Sequence, residues 1–197
     1  MQKFMIAVGN SRTTKIWKNT SYTWDELMER LQVTTRTTET QGEYRNLSKS
    51  QQDAIKDVGG FVGGKLKDGK RKAGYIEKRY LLTLDADFAG EDFIDQLCFF
   101  ADYTWCVYST HKHTAEKPRY RLLIPLSRPC DPDEYEAVAR KVAEEIGIDL
   151  FDDTTYQPHR LMYWPSTSID GDYVFEQNVH VPLDVDGMLR KYADWQG

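Results

Sequence analysis

The stretch Tyr80–Gly90, YLLTLDADFAG, decides the fold predicted for this chain. Its first half is apolar, which is typical of a buried strand, and its second half places Asp85 and Asp87 one residue apart. Because successive strand side chains point to opposite faces, Leu82 and Leu84 share one face and the two aspartates share the other. Two like charges on one face repel each other, so the sequence predicts that something positive lies between them.

The segments after this strand predict a repeating order of strands and helices. Apolar residues recur at helical spacing over 90–101, and a capped helix is predicted over 131–147, with strands over 104–111, 119–126 and 160–166. The order β-α-β-β-α-β predicts an α+β fold with a ferredoxin-like, RNA-recognition-motif-like core. With right-handed crossovers, the third strand lies between the first two, and the fourth lies beside the first.

The segment before this core is predicted to form an α/β subdomain, residues 1–78, against the core of residues 79–197. Helices are predicted over 23–31 and 48–58, a polar surface loop over 34–43, and strands joined by a turn at Asp68-Gly69. A terminal amphipathic helix is predicted over 184–195. We expect the two parts to form one compact domain cut from a longer protein.

Composition limits the function classes. The chain has 197 residues, 40% of them hydrophobic, and a formal net charge of −5, which disfavours a protein that coats nucleic acid by charge alone. Lys65–Arg79 and Lys112–Arg128 are basic, and each could equally be a solvated hairpin. We find no run of membrane-spanning length and no leader, so we expect a soluble, cytoplasmic protein without a membrane partner.

Polar side chains converge on one edge of the predicted sheet. This topology collects there the Asp85–Asp87 pair, Ser109, His111, Arg119, Arg121, Asp152, Asp153 and Arg160. Such convergence from distant segments indicates a site. Hard oxygen ligands without a thiolate or multi-histidine cluster favour Mg²⁺ or Mn²⁺ over zinc. Taken singly, the same residues are also typical of turn-capping aspartates and of a solvated strand face.

Three motifs in this order resemble those of the archaeo-eukaryotic primase superfamily: LLTLDAD (81–87), YSTH (108–111) and FDDTTYQPHRLMYWPS (151–166). TRTTETQGEY (35–44), KDVGGFVGGKL (56–66) and KPRYRLLIPLSRP (117–129) are similar to the primase–polymerase domains of phage and plasmid replication proteins of the virulence-associated E type. The resemblance implies a DNA primase–polymerase that transfers nucleotides from NTP or dNTP on a single-stranded DNA template. It also implies a helicase domain in the full-length protein and localisation in the cytoplasm of a bacterial host.

The resemblance also implies roles for individual residues. Asp85 and Asp87 would bind two Mg²⁺ or Mn²⁺ ions, with Asp153 as the third acid and Asp152 as the alternative. His111 would contact the phosphates of the incoming nucleotide, with Ser109 supporting it. The triphosphate or the template would be bound by Arg119, Arg121 and Arg160. No cysteine–histidine cluster matches the zinc module found in part of the superfamily, so no zinc is expected.

Two other functions remain open from the residues. A rolling-circle replication endonuclease uses a similar sheet with two histidines on one strand, here His111 and His113, and needs a tyrosine nucleophile, for which Tyr192 is the candidate. A non-catalytic module could bind single strands by stacking bases on Tyr108, Tyr120 or Tyr163.

Overall fold

The computed structural model describes residues 2–192, in which six helices and eleven strands form. The strands are β1 (Lys3–Gly9), β2 (Lys18–Thr23), β3 (Thr35–Arg36), β4 (Gly60–Val62), β5 (Gly64–Leu66), β6 (Ile76–Ala86), β7 (Trp105–Ser109), β8 (Tyr120–Cys130), β9 (Met162–Tyr163), β10 (Ser166–Thr167) and β11 (Phe175–Asn178). The helices are α1 (Trp24–Leu31), α2 (Gln41–Arg45), α3 (Lys49–Lys56), α4 (Phe93–Phe100), α5 (Pro132–Ile146) and α6 (Val185–Arg190). None of the helices in this range is long and apolar enough to cross a membrane.

A five-stranded sheet with the order β11-β7-β8-β6-β5 forms the centre of the molecule. Strand β8 is antiparallel to both β6 and β7, so β6 and β7 run parallel with β8 between them, as predicted. In this register Asp85 lies opposite Arg121, and Arg121 lies opposite Tyr108. Directly opposed residues share a face, so these three side chains project to the same side of the sheet.

The prediction for the fourth strand is wrong. Strand β9 does not join the central sheet but pairs with β4, at the edge of a four-stranded sheet of order β2-β1-β4-β9. The position beside β6 is taken by β5 instead. Both pairings require glycine, because the paired strands approach closely. A Cβ at Gly60 would lie 2.4 Å from the Met162 carbonyl oxygen, and a Cβ at Gly64 would lie 2.3 Å from the Lys78 carbonyl oxygen.

Both faces of the central sheet are buried, which explains the largely apolar run Tyr80–Leu84 in the second half of β6. On one face Leu82 and Leu84 pack with α4 and α5 in one hydrophobic cluster. On the other face Leu81 packs with Cys106 and with Ile6 of the second sheet. Asp85 continues this second face, so the two sheets enclose the end of β6 that carries the acids.

Most predicted helices form, and two segments differ from prediction. The capped helix predicted over 131–147 forms as α5, and capping boxes begin α1, α3 and α5. The segment 34–43, predicted as a surface loop, contains β3 and the start of α2, because β3 pairs in parallel with β10. Of the terminal helix predicted over 184–195, α6 forms after Asp184, and residues 193–197 lie outside the described residues.

The predicted boundary at residue 78 falls inside β6. Each sheet takes one strand from the other side of that boundary, β5 in the central sheet and β9 in the second. Both parts of the chain therefore contribute strands to each of the two sheets that surround the end of β6.

Candidate active site

A cavity of about 720 Å³ opens at the end of β6, and both parts of the chain line it. Four aspartates line it: Asp53, Asp85, Asp87 and Asp152. Eight cationic side chains also line it: Arg12, Lys49, Lys56, Arg71, Lys112, Arg119, Arg121 and Arg160. Because its cationic side chains outnumber its carboxylates, the cavity as a whole favours a negatively charged ligand.

Asp85 is held from several sides. It is only 6% exposed, its backbone N–H donates to the Thr155 hydroxyl at 2.7 Å, and its Oδ2 accepts from that hydroxyl at 3.2 Å. Its Oδ2 also accepts from Arg160 Nε at 3.0 Å, and its Oδ1 lies 3.6 Å from Arg121 Nε. The sequence predicts a positive charge beside Asp85, and Arg160 and Arg121 supply part of it.

Asp87 lies two residues further on, is half-buried, and forms no ion pair within residues 2–192. Burial raises its pKa above the usual range, and the neighbouring charge of Asp85 raises it further, against the lowering effect of Arg119 and Arg121. The raised pKa means that the surroundings disfavour the ionised form of Asp87. A bound divalent cation would stabilise that form.

Of the two adjacent aspartates predicted as alternatives for the third acid, Asp152 lies beside this pair. Asp152 lines the cavity and its backbone N–H donates to the Asp85 carbonyl at 3.0 Å, whereas Asp153 is exposed and does not line the cavity. Asp152 Oδ1 accepts from the backbone N–H and the hydroxyl of Thr154 at 2.7 and 2.5 Å, and it lies 3.9 Å from Arg160. Arg160 thus lies between Asp85 and Asp152.

Within residues 2–192, no three histidine, cysteine or acidic side chains are arranged to hold a metal ion. Instead, Arg160 contacts both Asp85 and Asp152. The donor set nevertheless fits Mg²⁺ or Mn²⁺, because such ions need only one or two carboxylates and complete their shell with water and phosphate. Asp85 and Asp87 both line the cavity and are two residues apart, so they supply the one or two carboxylates that such an ion needs.

His111 is 6% exposed and both of its ring nitrogens have protein partners. Nδ1 lies 2.8 Å from the Ser166 hydroxyl, Nε2 lies 3.0 Å from Glu39 Oε2, and the ring packs on Tyr44 with centroids 4.5 Å apart. Burial lowers the pKa of His111, although Glu39 opposes that shift. A neutral ring beside a carboxylate carries its proton on Nε2, so Glu39 fixes the tautomer.

Glu39 was missed by the sequence analysis. Burial would raise the pKa of its carboxyl, but hydrogen bonds from Thr37, Ser168 and His111 outweigh burial and lower it. The Ser168 hydroxyl donates to Glu39 Oε2 at 2.7 Å. A single glutamate in a threonine-rich segment carries no sequence signal of this partnership.

Ser109 does not support His111. Its hydroxyl accepts from the Val174 backbone N–H at 2.8 Å, and the residue does not line the cavity. It lies opposite Tyr120, which belongs to the cluster packed under α4 and α5, so its side chain projects to the other face of the sheet. The serines that contact His111 are Ser166 and Ser168.

The three predicted arginines, Arg119, Arg121 and Arg160, all line the cavity. Arg121 is 7% exposed, and its Nε is buried without a hydrogen-bond partner among the described atoms.

The sequence analysis did not identify the cationic side chains that residues 1–78 contribute to the cavity. Lys56 is one of them, and burial followed by the charge of Arg121 lowers its pKa. Cations that repel each other in this way form a ready site for an anion.

The family described as the VapE N-terminal domain matches residues 1–197. The chain belongs to the VapE N-terminal domain family. The resemblance to the virulence-associated E type, drawn from segments 35–44, 56–66 and 117–129, is thereby confirmed. No curated protein sequence matches this VapE N-terminal domain.

The solved structures add a likeness in fold. The VapE N-terminal domain is similar to the AEP domain of the cyanophage S-2L primase-polymerase, with a TM-score of 0.51 and 12% sequence identity. The match covers 94% of this chain and 86% of the phage domain. The predicted fold class, the α+β archaeo-eukaryotic primase fold, is therefore confirmed.

The residues that the endonuclease alternative requires do not meet. His113 Nδ1 accepts from the Arg119 backbone N–H at 3.1 Å, and the Tyr192 hydroxyl donates to the Ala137 carbonyl on α5 at 2.7 Å. Tyr192 lines a different cavity from His111. Tyr192, the candidate nucleophile, therefore does not lie beside His111.

Proposed function

We propose that this domain is a primase–polymerase domain that catalyses template-directed nucleotidyl transfer on single-stranded DNA. The observation that carries the proposal is the cavity at the end of β6, where Asp85 and Asp87 lie within a ring of cationic side chains. The family and the fold likeness to a primase-polymerase domain support it. The substrates would be NTP or dNTP, in replication of a phage or plasmid in the bacterial cytoplasm, with a helicase domain as a partner in a longer protein.

In this proposal Asp85 and Asp87 hold two Mg²⁺ or Mn²⁺ ions, and Asp152 is the third acid. Bound divalent ions neutralise phosphate charge and lower the pKa of a coordinated hydroxyl. Asp85 lies near the end of β6, Asp87 lies in the turn directly after it, and both line the cavity, so their carboxylates are available to the same ions. Arg160 would give up part of its contact with Asp85 when the substrate binds, since its guanidinium also suits phosphate oxygens.

The cationic residues would bind and orient the triphosphate. Arg119 and Arg121 both line the cavity, and Arg121 Nε makes only a long 3.6 Å contact with Asp85, so their guanidinium groups would donate to phosphate oxygens. The primer or nucleotide 3′-oxygen forms a bond to the α-phosphorus as the bond to the bridging oxygen breaks, the hydroxyl proton passes to water, and pyrophosphate leaves. In such transfers positioning and charge stabilisation supply most of the rate.

His111 has a less direct role in this proposal. Its Nε2 would contact a phosphate only by exchanging the Glu39 carboxylate for it, since both ring nitrogens have partners. Without that exchange, the His111–Glu39 pair links the end of β7 to the segment before α2 and so keeps Tyr44 in the cavity wall.

The test is incubation of the chain with single-stranded DNA, with and without a primer, together with mixed nucleotides and Mg²⁺ or Mn²⁺. We expect extension products from the natural sequence and none from Asp85→Ala/Asp87→Ala that remains folded by circular dichroism. Failure of the natural sequence with both metals would overturn the proposal. Metal-independent DNA binding without incorporation would then indicate the non-catalytic module.

A further inference from the structure

A basic groove lies outside the acids of the proposed active site. It is lined by Arg12, Thr14, Lys15, Trp17, Lys70, Arg71 and Lys72 and has a volume of about 280 Å³. The segments 12–18 and 65–79, which supply it, hold ten lysines and arginines and two acids, in a chain whose totals are 26 basic and 31 acidic residues. The positive charge is therefore concentrated here against the net charge of the molecule.

The two segments are fixed to each other by backbone and side-chain hydrogen bonds. The Trp17 backbone N–H donates to the Gly69 carbonyl at 2.8 Å, and the Asn19 side chain accepts from and donates to the Leu66 backbone, both at 3.0 Å. A Cβ at Gly69 would lie 2.7 Å from the Trp17 carbonyl oxygen, and Gly69 has a φ of +65°, so the contact requires glycine. The groove is a fixed feature of the fold.

Four of the five cations that line the groove have no acidic partner among the described residues. Arg12 pairs with Asp53 at 3.2 Å and Lys65 with Glu77 at 3.5 Å, but Lys15, Lys70, Arg71 and Lys72 form no ion pair within residues 2–192. Arg71 Nε is buried without a hydrogen-bond partner, and burial lowers the pKa of this guanidinium. An unpaired, partly desolvated cation favours an anionic ligand.

The groove is continuous with the cavity of the proposed active site. Arg12 and Arg71 line both. Arg71 donates to the His159 carbonyl on the cavity side and to the Arg12 carbonyl, each at 3.4 Å. An extended polyanion that enters the cavity can therefore continue into the groove without leaving cationic surface.

We propose that the basic groove binds the phosphate backbone of the single-stranded DNA template next to the active site. This inference rests on the proposed function for the identity of the strand. Unpaired lysines track successive phosphates without reading sequence. The side chain of Ile16, 78% exposed beside the groove, and the ring of Tyr75, flanked by Lys70 and Lys72, offer apolar contact to sugars and bases.

The test measures the binding of a fluorescent single-stranded DNA by anisotropy over a series of salt concentrations, without metal or nucleotide. The variant is Lys15→Ala/Lys70→Ala/Lys72→Ala, whose three side chains are exposed. Loss of three phosphate contacts should reduce the slope of log affinity against log salt by about 2 and weaken binding at low salt by at least about tenfold. A matched control, Lys3→Ala/Lys117→Ala/Arg190→Ala, removes the same charge from exposed positions that line neither cavity, and it should bind DNA like the natural sequence.

Equal affinity and equal salt slope in the two triple variants would overturn the inference, as would failure of the natural sequence to bind. Preference for anionic lipid vesicles over DNA would overturn it too, and a parallel RNA strand shows whether the sugar matters. The assay requires no catalysis. A chain that binds DNA through the groove but incorporates no nucleotide would contradict the proposed function and leave this inference standing.

Discussion

The bridge from Arg160 to Asp85 makes a quantitative prediction about stability. In Arg160→Met the Nε donor at 3.0 Å disappears, and so does the cation 3.9 Å from Asp152. Methionine retains much of the aliphatic stem, so the variant removes charge rather than packing. Asp85 then remains 6% exposed with Arg121 Nε at 3.6 Å as its nearest cation.

The expected magnitude follows from burial and distance. Hydrogen bonds to charged groups contribute about 1.5–3 kcal/mol, and removal of one partner of a fully buried ion pair costs about 3–5 kcal/mol. The Arg160 side chain is 30% exposed and Arg121 remains, so the lower figures apply. We expect the free energy of unfolding to fall by about 2 kcal/mol, which lowers the thermal midpoint by about 4–8 °C in a chain of this size.

The assay is thermal and urea unfolding of the natural sequence, Arg160→Met, Asp85→Asn and the double variant. If the pair interacts as the structure shows, the two changes are non-additive by about 1–2 kcal/mol. Arg190→Met removes a guanidinium whose side chain is 73% exposed, and it serves as the control with little expected effect. Additivity within about 0.5 kcal/mol would refute the reasoning.

Three further predictions concern the acids and the histidines. Asp152→Ala should lower nucleotide incorporation by about 10–100-fold while Asp153→Ala leaves it unchanged, and the reverse result would restore Asp153 as the third acid. Glu39→Gln weakens a charge-assisted hydrogen bond and should cost about 1 kcal/mol in unfolding experiments, with the Nε2–H tautomer of His111 retained by NMR. Burial lowers the pKa of the His111, His113 and His159 rings. The unfolded chain therefore binds more protons below about pH 6.5, so the thermal midpoint should fall as pH drops from about 7 to about 5, and a rise would contradict this.

Local pattern was sufficient to predict the strand that carries the site. The apolar residues before Asp85 predicted strand β6, and the patterns over 23–31 and 48–58 predicted α1 and α3, whereas Asp87 lies in the turn after β6 rather than on its face. The order of β6, β8 and β7 followed from the handedness of crossovers. These features depend on periods of two and 3.6 residues, which a sequence displays directly.

The rest depends on contacts that have no local pattern. Strands β5 and β9 have three and two residues, too few to show a period, so their exchange between sheets was not predictable. Glu39 meets His111 across 72 positions of sequence. Arg160 was predicted as a phosphate ligand. In the structure it contacts Asp85, the acid that was expected to bind a cation. Only three-dimensional distances reveal that Arg160 and a cation would compete for Asp85.

The central claim, that the Asp85–Asp87 pair binds a divalent cation, is tested most directly by titrating the chain with Mn²⁺ in the presence of nucleotide. Electron paramagnetic resonance reports the free ion. We predict saturable Mn²⁺ binding by the natural sequence and its loss in Asp85→Asn/Asp87→Asn that remains folded. Equal binding by the two proteins, or none by the natural sequence, would contradict the account.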